Sequence, residues 1–598
     1  MDPIKVDFSK KGSGSSKEIV IPPEKAALKI VLSVIGAVIA GALGYYLLLP
    51  ALNPKDIEFY YLIGIVIAAF VVCFVLLTKV TKYTEYLPYV KRKSIVPAVL
   101  VGILALVLIV GFAVSSVFFR AKSYSKIITV NANGNFSKEI PEPDFATIPK
   151  LDEDAAANLA SRALSSLADL GYVSQFTVYP SYTQINYNTA PVRVATLKYA
   201  NIIKWFTNRS AGLPGYIVID MANENTKFVP LESGMKYSPS EHFGRLLKRH
   251  LRFEYPTYMF DTANFEIDDQ GKPYWICARV DKTIGLFGGT DVVGAVICDA
   301  INGECSYHSI KDIKEKPELQ WIDRVYSATL LREQYDYYGT YQKGFWNSIL
   351  GQKDVFVTTE GYNYIAKNDD VYMYTGVTSV TSDQSITGFV LINQRTKETT
   401  FYRVDGAKEH TAMATAEGLV SDYKYNSTFP LLLNINGMPT YFMSLKGDDQ
   451  VVQRYALISV KDYNKVKAIG ASVSQCLENY VASLKANNIK VEDINIPDET
   501  QQGGDVKGEE ATLSATISDI RSAVINGNTV YYFQLSTGKT YYSISAADAA
   551  DAVILNKGDN VTIRYNATDK QDIIPLKSIK FNAPASAAPA KEPAAAAN

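Results

Sequence analysis

SIVPAVLVGILALVLIVGFAVSSVFF, Ser94 to Phe119, runs without a single charged side chain between Lys93 and Arg120. The hydrocarbon core of a bilayer is about 30 Å thick and a helix rises about 1.5 Å per residue, so about 20 apolar residues cross it. Working outward from this stretch, two more of the same kind precede it: Phe59 to Thr78, closed by Lys79, and Ile30 to Leu52, opened after Lys29. Residues 26–119 are therefore predicted to hold three transmembrane helices. A signal peptide does not explain the first, because its apolar stretch is too long and two others follow. Gly36, Ala37, Ala40, Gly41, Ala42 and Gly44 recur along it, a pattern that lets helices approach closely and that also occurs as plain filler.

Lysine and arginine in short loops set the direction of insertion. The first loop has Lys55 beside Asp56 and Glu58, whereas the second has Lys79, Lys82, Lys91, Arg92 and Lys93 against Glu85. The second loop is expected to be cytoplasmic. So is the tail of residues 1–25, with Lys5, Lys10, Lys11, Lys17 and Lys25. Three crossings then place residues 120–598 outside the cytoplasm, against the opposing pull of Arg120, Lys122 and Lys126.

The remainder is polar. The 598-residue chain carries a net charge of −1, which gives no field that would gather nucleic acid, and its 40 tyrosines favour half-buried strands. Residues 120–150 read as an extended connector interrupted by Pro141, Pro143 and Pro149. Residues 151–170, LDEDAAANLASRALSSLADL, space their apolar positions for a helix with acids in its first turn.

From there to residue 485 four apolar runs share one frame: Gly215–Asp220, Gly294–Asp299, Gly388–Asn393 and Arg454–Ser459. Each closes on a polar turn former and is followed by a further strand, as at Thr399–Arg403 and Lys465–Ala468; Asn302-Gly303 is a hairpin signal. Each is also preceded by a strand: Pro191–Leu197, Pro273–Arg279, Asp370–Thr375 and Pro439–Ser444. The expected unit is three antiparallel strands, with helices between units at Ser240–Leu251, Glu409–Tyr423 and Lys461–Lys485. Spacing is irregular, which fits diverged modules and not a solenoid. Val293-Gly-Ala-Val-Ile-Cys-Asp299-Ala-Ile-Asn-Gly303 resembles the strand–turn–strand core of PepSY modules. That resemblance implies small structural or inhibitory modules outside bacterial membranes, and it carries over no catalytic residue.

Residues 486–510 read as a linker. Residues 511–582 follow with strands at Thr512–Ile520, Val530–Leu535, Lys539–Ser543, Asn560–Arg564 and Leu576–Phe581, an Asn526-Gly527 turn and a helix at Ala546–Leu555. Five short strands with one inserted helix resemble an OB-fold. The tail, 583–598, is Ala and Pro with little else and is expected to be disordered. The fold class is thus a three-helix membrane region, an α+β region of repeated antiparallel strand units, and a small OB-like barrel.

No P-loop, zinc helix, nucleophile elbow or CxxC pair occurs, so no catalytic, cofactor-binding or metal residue is assigned. Gly285-Leu-Phe-Gly288-Gly289 lies between predicted strands and reads as a hairpin loop. His242 and His250 fall on one expected helix among Arg245, Lys248 and Arg249, a cationic setting that opposes a metal ion; the face reads as solvated, or as a contact for anionic lipid or wall polymer. His308 and His410 stand alone. Of five cysteines, Cys73 lies in a span, Cys298 and Cys305 flank a turn and read either as a pair or as two small buried residues, and Cys277 and Cys476 are isolated. Tyr531, Tyr532, Phe533, Tyr541 and Tyr542 fit a barrel core better than base stacking, with binding of a peptide or polysaccharide left open; the aromatic stretch Trp321–Gly351 fits packing between units better than an exposed partner site.

The function expected from these features is a non-enzymatic, membrane-anchored scaffold or interaction protein of a bacterial envelope. Its partners would be the lipid bilayer and a protein or envelope polymer, with no nucleic acid and with self-association open. An envelope hydrolase using paired carboxylates, and an accessory subunit of a membrane complex, are the alternatives.

Overall fold

The computed structural model describes residues 20–167, 171–381, 385–491, 510–525, 528–538, 540–546, 549–566 and 573–582. Most of the linker, most of the N-terminal tail, the Asn526-Gly527 turn and the Ala/Pro tail therefore lie outside the described residues. The chain divides into two compact units, 1–496 and 497–598.

Three apolar helices open the first unit: α1, Ala26–Leu48; α2, Ile57–Thr78; and α3, Leu87–Ser115. All three are long and apolar enough to span a membrane. Helix α3 starts earlier than the apolar run, absorbing Lys91–Lys93. It also stops earlier, because Ser116 turns extended (ψ 149°). The small residues of α1 face α2: a methyl group added at Gly36 would meet Cys73 Sγ at 2.7 Å, and one at Gly41 would meet Val66 Cγ2 at 2.8 Å.

The expected connector is more structured than its prolines imply. A helix at Val117–Tyr124 follows α3, and Val130–Gly134 joins a sheet as a parallel partner of Thr399–Ala407. Tyr124 anchors this segment by donating to the Ser115 carbonyl at 2.6 Å. The helix after the connector spans Glu153–Ser165, with Asp152 capping the Ala155 amide at 2.9 Å.

Four sheets follow. The four apolar runs lie on Leu213–Asp220, Gly288–Asp299, Ser385–Asn393 and Val452–Ser459, one in each sheet, each paired on both sides by antiparallel neighbours. The upstream neighbours are Ala190–Tyr199, Pro273–Ile284, Asp370–Ser379 and Met438–Lys446. Strand periodicity then decides which core each side chain enters. In the second sheet Trp275, Cys277, Val296 and Cys298 join residues of the first sheet, whereas Ile276, Ala278, Ala295 and Ile297 join residues of the third. In the third, Met373, Val390 and Ile392 face the second sheet while Tyr374, Phe389 and Leu391 share a core with the fourth. Sheets buried on both faces need strands apolar at nearly every position, which is why these runs show no alternation.

Two expected helices change. Ser240–Leu251 begins as helix only at Leu247, running to Glu254, after a 3-10 turn at Phe243–Arg245, so His242 and His250 do not share a helix. Lys461–Lys485 divides into a strand, Lys467–Gly470, and a helix, Val473–Ala486, capped by Ser472. Glu409–Gly418 is helical, with a 3-10 turn after it at Ser421–Tyr423.

The second unit is a closed five-stranded barrel in the order Glu510–Ile525, Asn528–Leu535, Tyr541–Ser545, Ile573–Phe581, Asn560–Asn566. A 3-10 turn at Ala550–Ile554 stands where a helix was expected. Phe533 and Tyr542 point into its core.

Candidate functional site

The spans are built into the first sheet-bearing unit, not merely tethered to it. The last carbonyls of a helix lack intrahelical partners. Here Arg252 Nε donates to the Leu49 carbonyl at 3.0 Å, and Arg249 reaches the Tyr46 carbonyl while its guanidinium lies 4.1 Å from the Tyr46 ring. Of the basic face read as solvated, Arg249 is buried against the end of α1, and so is Arg252 just beyond it. Lys55, in the first loop, pairs with Asp281 at 2.9 Å. The Gly285–Gly289 segment is a hairpin, and the Ser115 hydroxyl at the end of α3 accepts from the Leu286 and Phe287 amides at 2.8 and 2.9 Å. Phe287 packs against Phe112 and Tyr60 of the spans, with ring centres 4.9 and 5.6 Å apart. A mostly apolar cavity of about 670 Å³ lies at this junction, between Lys55–Glu58 and the Met259, Cys277 and Val280 side chains.

Away from the spans, residues of all four sheets meet around a second, polar cleft of about 420 Å³. Arg193 comes from the first sheet, Asn264 from the second, Tyr364 from the strand Asn363–Lys367 of the third, and Ser444 from the fourth. Arg324 enters from the loop before the helix Ala328–Tyr341. That loop is fixed from behind: Glu266, fully buried, accepts from the amides of Asp323 and Arg324 at 2.8 and 2.9 Å.

The two guanidiniums are the chemical feature of the cleft. Arg193 is 7% exposed and Arg324 is 9% exposed. Arg324 donates to the Tyr364 hydroxyl at 2.8 Å and lies 4.3 Å from that ring. Arg193 has Glu153 at 4.0 Å, at the exposed rim. Burial pulls the Arg193 guanidinium below its ordinary value, with Glu153 working against the pull and Arg324 adding to it. Nε of each arginine is buried without a hydrogen-bond partner, while the other nitrogens of Arg324 donate to the Gln184 carbonyl and the Tyr364 hydroxyl. Lys446 pairs with Asp152 at the same cleft. Two guanidiniums lining one cleft, with Glu153 no nearer than 4.0 Å, give it a positive charge suited to a carboxylate or phosphate.

Acid–base chemistry finds less support. No histidine or cysteine lines the cleft among the described residues. Burial pushes the Glu266 carboxyl up to about 7 and, with the Glu266 charge, holds Asp323 well above the carboxylate range. These two face backbone amides, Asp323 accepting from Asn186 at 2.7 Å, and neither lines the cleft.

The other candidates scatter. His250 bonds the Gly303 carbonyl at 2.7 Å, His308 bonds Ser306 at 2.9 Å, and His242 and His410 lie against Trp205 and Phe429. Cys298 and Cys305, directly opposite on neighbouring strands, form a disulfide. A His250 ring nitrogen lies within 4.8 Å of both sulfurs, but sulfurs bonded to each other offer no thiolate to a metal. The aromatic stretch divides: Tyr326 and Tyr335 are core, whereas Trp346 is 62% exposed. Sequence reasoning passed over Arg193 and Arg324. The one signal was Arg193 as the single charge within the apolar run Pro191–Leu197. No family model matches the chain, and no curated protein resembles it.

Proposed function

We propose that this is a membrane-anchored extracytoplasmic binding or scaffold protein of a bacterial envelope, without enzymatic activity, whose four-sheet cleft takes an anionic group of a protein or polymer partner. The observation that carries this reading is the pair of largely buried guanidiniums, Arg193 and Arg324, brought to one polar cleft without a closely paired carboxylate. A partner's carboxylate or phosphate matches their charge and fork geometry. Support for stacked PepSY-like units comes from the recurrence of one strand frame in four sheets, and support for an OB-like terminal module from five barrel strands.

Titration of the full chain in detergent with inorganic polyphosphate and with poly-glutamate tests the reading. Saturable binding of either, weakened at least tenfold in Arg193→Gln and Arg324→Gln, is the expected result. Binding of neither probe, or binding indifferent to both variants, sinks the anionic cleft. Turnover of an envelope substrate by the purified chain sinks the non-enzymatic reading.

A further inference from the structure

Outside the spans, two groups of exposed apolar side chains in the first unit are each joined to the end of a span. The first surrounds the short helix Ile202–Asn208, where Ile203 is 67% and Phe206 is 53% exposed. Phe243 adds a ring that is 57% exposed, and it does so from a left-handed backbone (φ 53°), a conformation disfavoured for a bulky residue. One guanidinium ties this group to the membrane: Arg249 donates to the Phe243 carbonyl at 2.8 Å and to the Tyr46 carbonyl of α1 at 3.3 Å. Phe253, 54% exposed, lies edge-on to Tyr45 of the same helix end. Arg209 lies against the Trp205 and Phe206 rings, and Arg245 donates to the Arg209 carbonyl, so cations border the apolar group.

The second group surrounds the π-helical turn Asn347–Gly351, where Trp346, Ile349 and Leu350 are 62%, 52% and 77% exposed. It meets the chain just past α3: the Phe118 ring stands 5.0 Å from Phe345 and 5.8 Å from Trp346. The turn is a built shape, since the Asn347 side chain donates to the Lys353 carbonyl at 3.0 Å and accepts from its amide.

We infer that these two groups are interfacial feet, seated in the headgroup region of the leaflet where α1 and α3 end, so that the sheet-bearing unit rests on the bilayer as well as being anchored through it. Continuity with the span ends places both groups at that depth. Their chemistry is that of the interface, with Trp, Phe, Ile and Leu beside Lys and Arg. The cations around the first foot favour anionic lipid.

Trp346 supplies the test, because Trp205 and Trp275 are buried and Trp321 is partly covered. The full chain is placed in nanodiscs of phosphatidylcholine and phosphatidylglycerol, with bromine either high on the acyl chains or absent. Trp346 emission is expected to be quenched by the bromolipid, and Trp346→Phe to lose that quenched component. In the Trp346→Phe background, Ile203→Trp is expected to restore it, reporting the first foot. Equal quenching in the parent and Trp346→Phe, with Trp346 open to aqueous acrylamide, overturns the second foot by placing it in water. Shielding from both quenchers overturns it in favour of a protein partner. Failure of Ile203→Trp to regain quenching overturns the first foot alone.

Discussion

At the scale of single residues, the buried charges do structural work that can be measured. Arg252 is buried and satisfies the Leu49 and Tyr258 carbonyls. Arg252→Met keeps the packing and leaves those carbonyls unpaired, so the full chain is expected to lose about 2–4 kcal/mol, read as a lower unfolding midpoint. Arg252→Lys should recover little, because an ammonium cannot reproduce the fork. Glu266 makes a pH prediction. Its carboxyl is raised from 4.5 to about 7 in the folded chain, chiefly by burial. Between these values the native state holds a proton that the unfolded state has released, so stability falls as pH rises through that window and levels off above it. Asp323, raised in the same direction, adds to this slope, so Glu266→Gln is expected to lessen it in denaturant melts at successive pH values without abolishing it. A slope unchanged in the variant would assign the whole dependence to Asp323.

Elements show where the sequence was legible. The spans could be read because twenty-odd uncharged residues have few other destinations. The strand runs could be read because a glycine or proline and a closing Asp or Asn punctuate them, as at Gly294 and Asp299. Lys461–Lys485 misled because Lys465–Ala468 fits either period, and the tertiary pairing of Lys467–Gly470 with Tyr455–Ile458 decided for strand. The cleft was illegible for a different reason: Arg193, Arg324 and Ser444 are distant in sequence, and only the stacking of sheets brings them together. Glycine in α1 was ambiguous between filler and contact, and packing resolves it. Gly41→Leu must push α2 away, because even a methyl group would meet Val66 at 2.8 Å, whereas a methyl group at Gly102 of α3 meets nothing within 4 Å. Gly41→Leu is therefore expected to destabilise the full chain in detergent by about 1–3 kcal/mol, and Gly102→Leu to leave it unchanged within about 0.5 kcal/mol. Equal effects of the two would mean that the α1–α2 contact contributes nothing particular.

For the whole molecule the prediction concerns which side of the membrane carries the sheets. Three helices long and apolar enough to cross a membrane lie between residue 20 and residue 130, and three crossings would put the two ends of the membrane region in opposite compartments. Loop charges argue for the outside, and the disulfide gives an independent chemical handle. A cytoplasmic thiol pool keeps such pairs reduced, while an oxidising exterior preserves them. The chain has five cysteines, of which Cys73, Cys277 and Cys476 are free. Cells are quenched in acid, the chain is denatured, and thiols are tagged with a maleimide large enough to retard the band. If the sheets lie outside, three tags are expected before reduction and five after it. Five tags in both arms would mean that Cys298 and Cys305 are reduced in the cell, which would reverse the orientation and remove the envelope partner from the proposed function. Cys298→Ser with Cys305→Ser gives three tags in both arms and identifies the pair responsible.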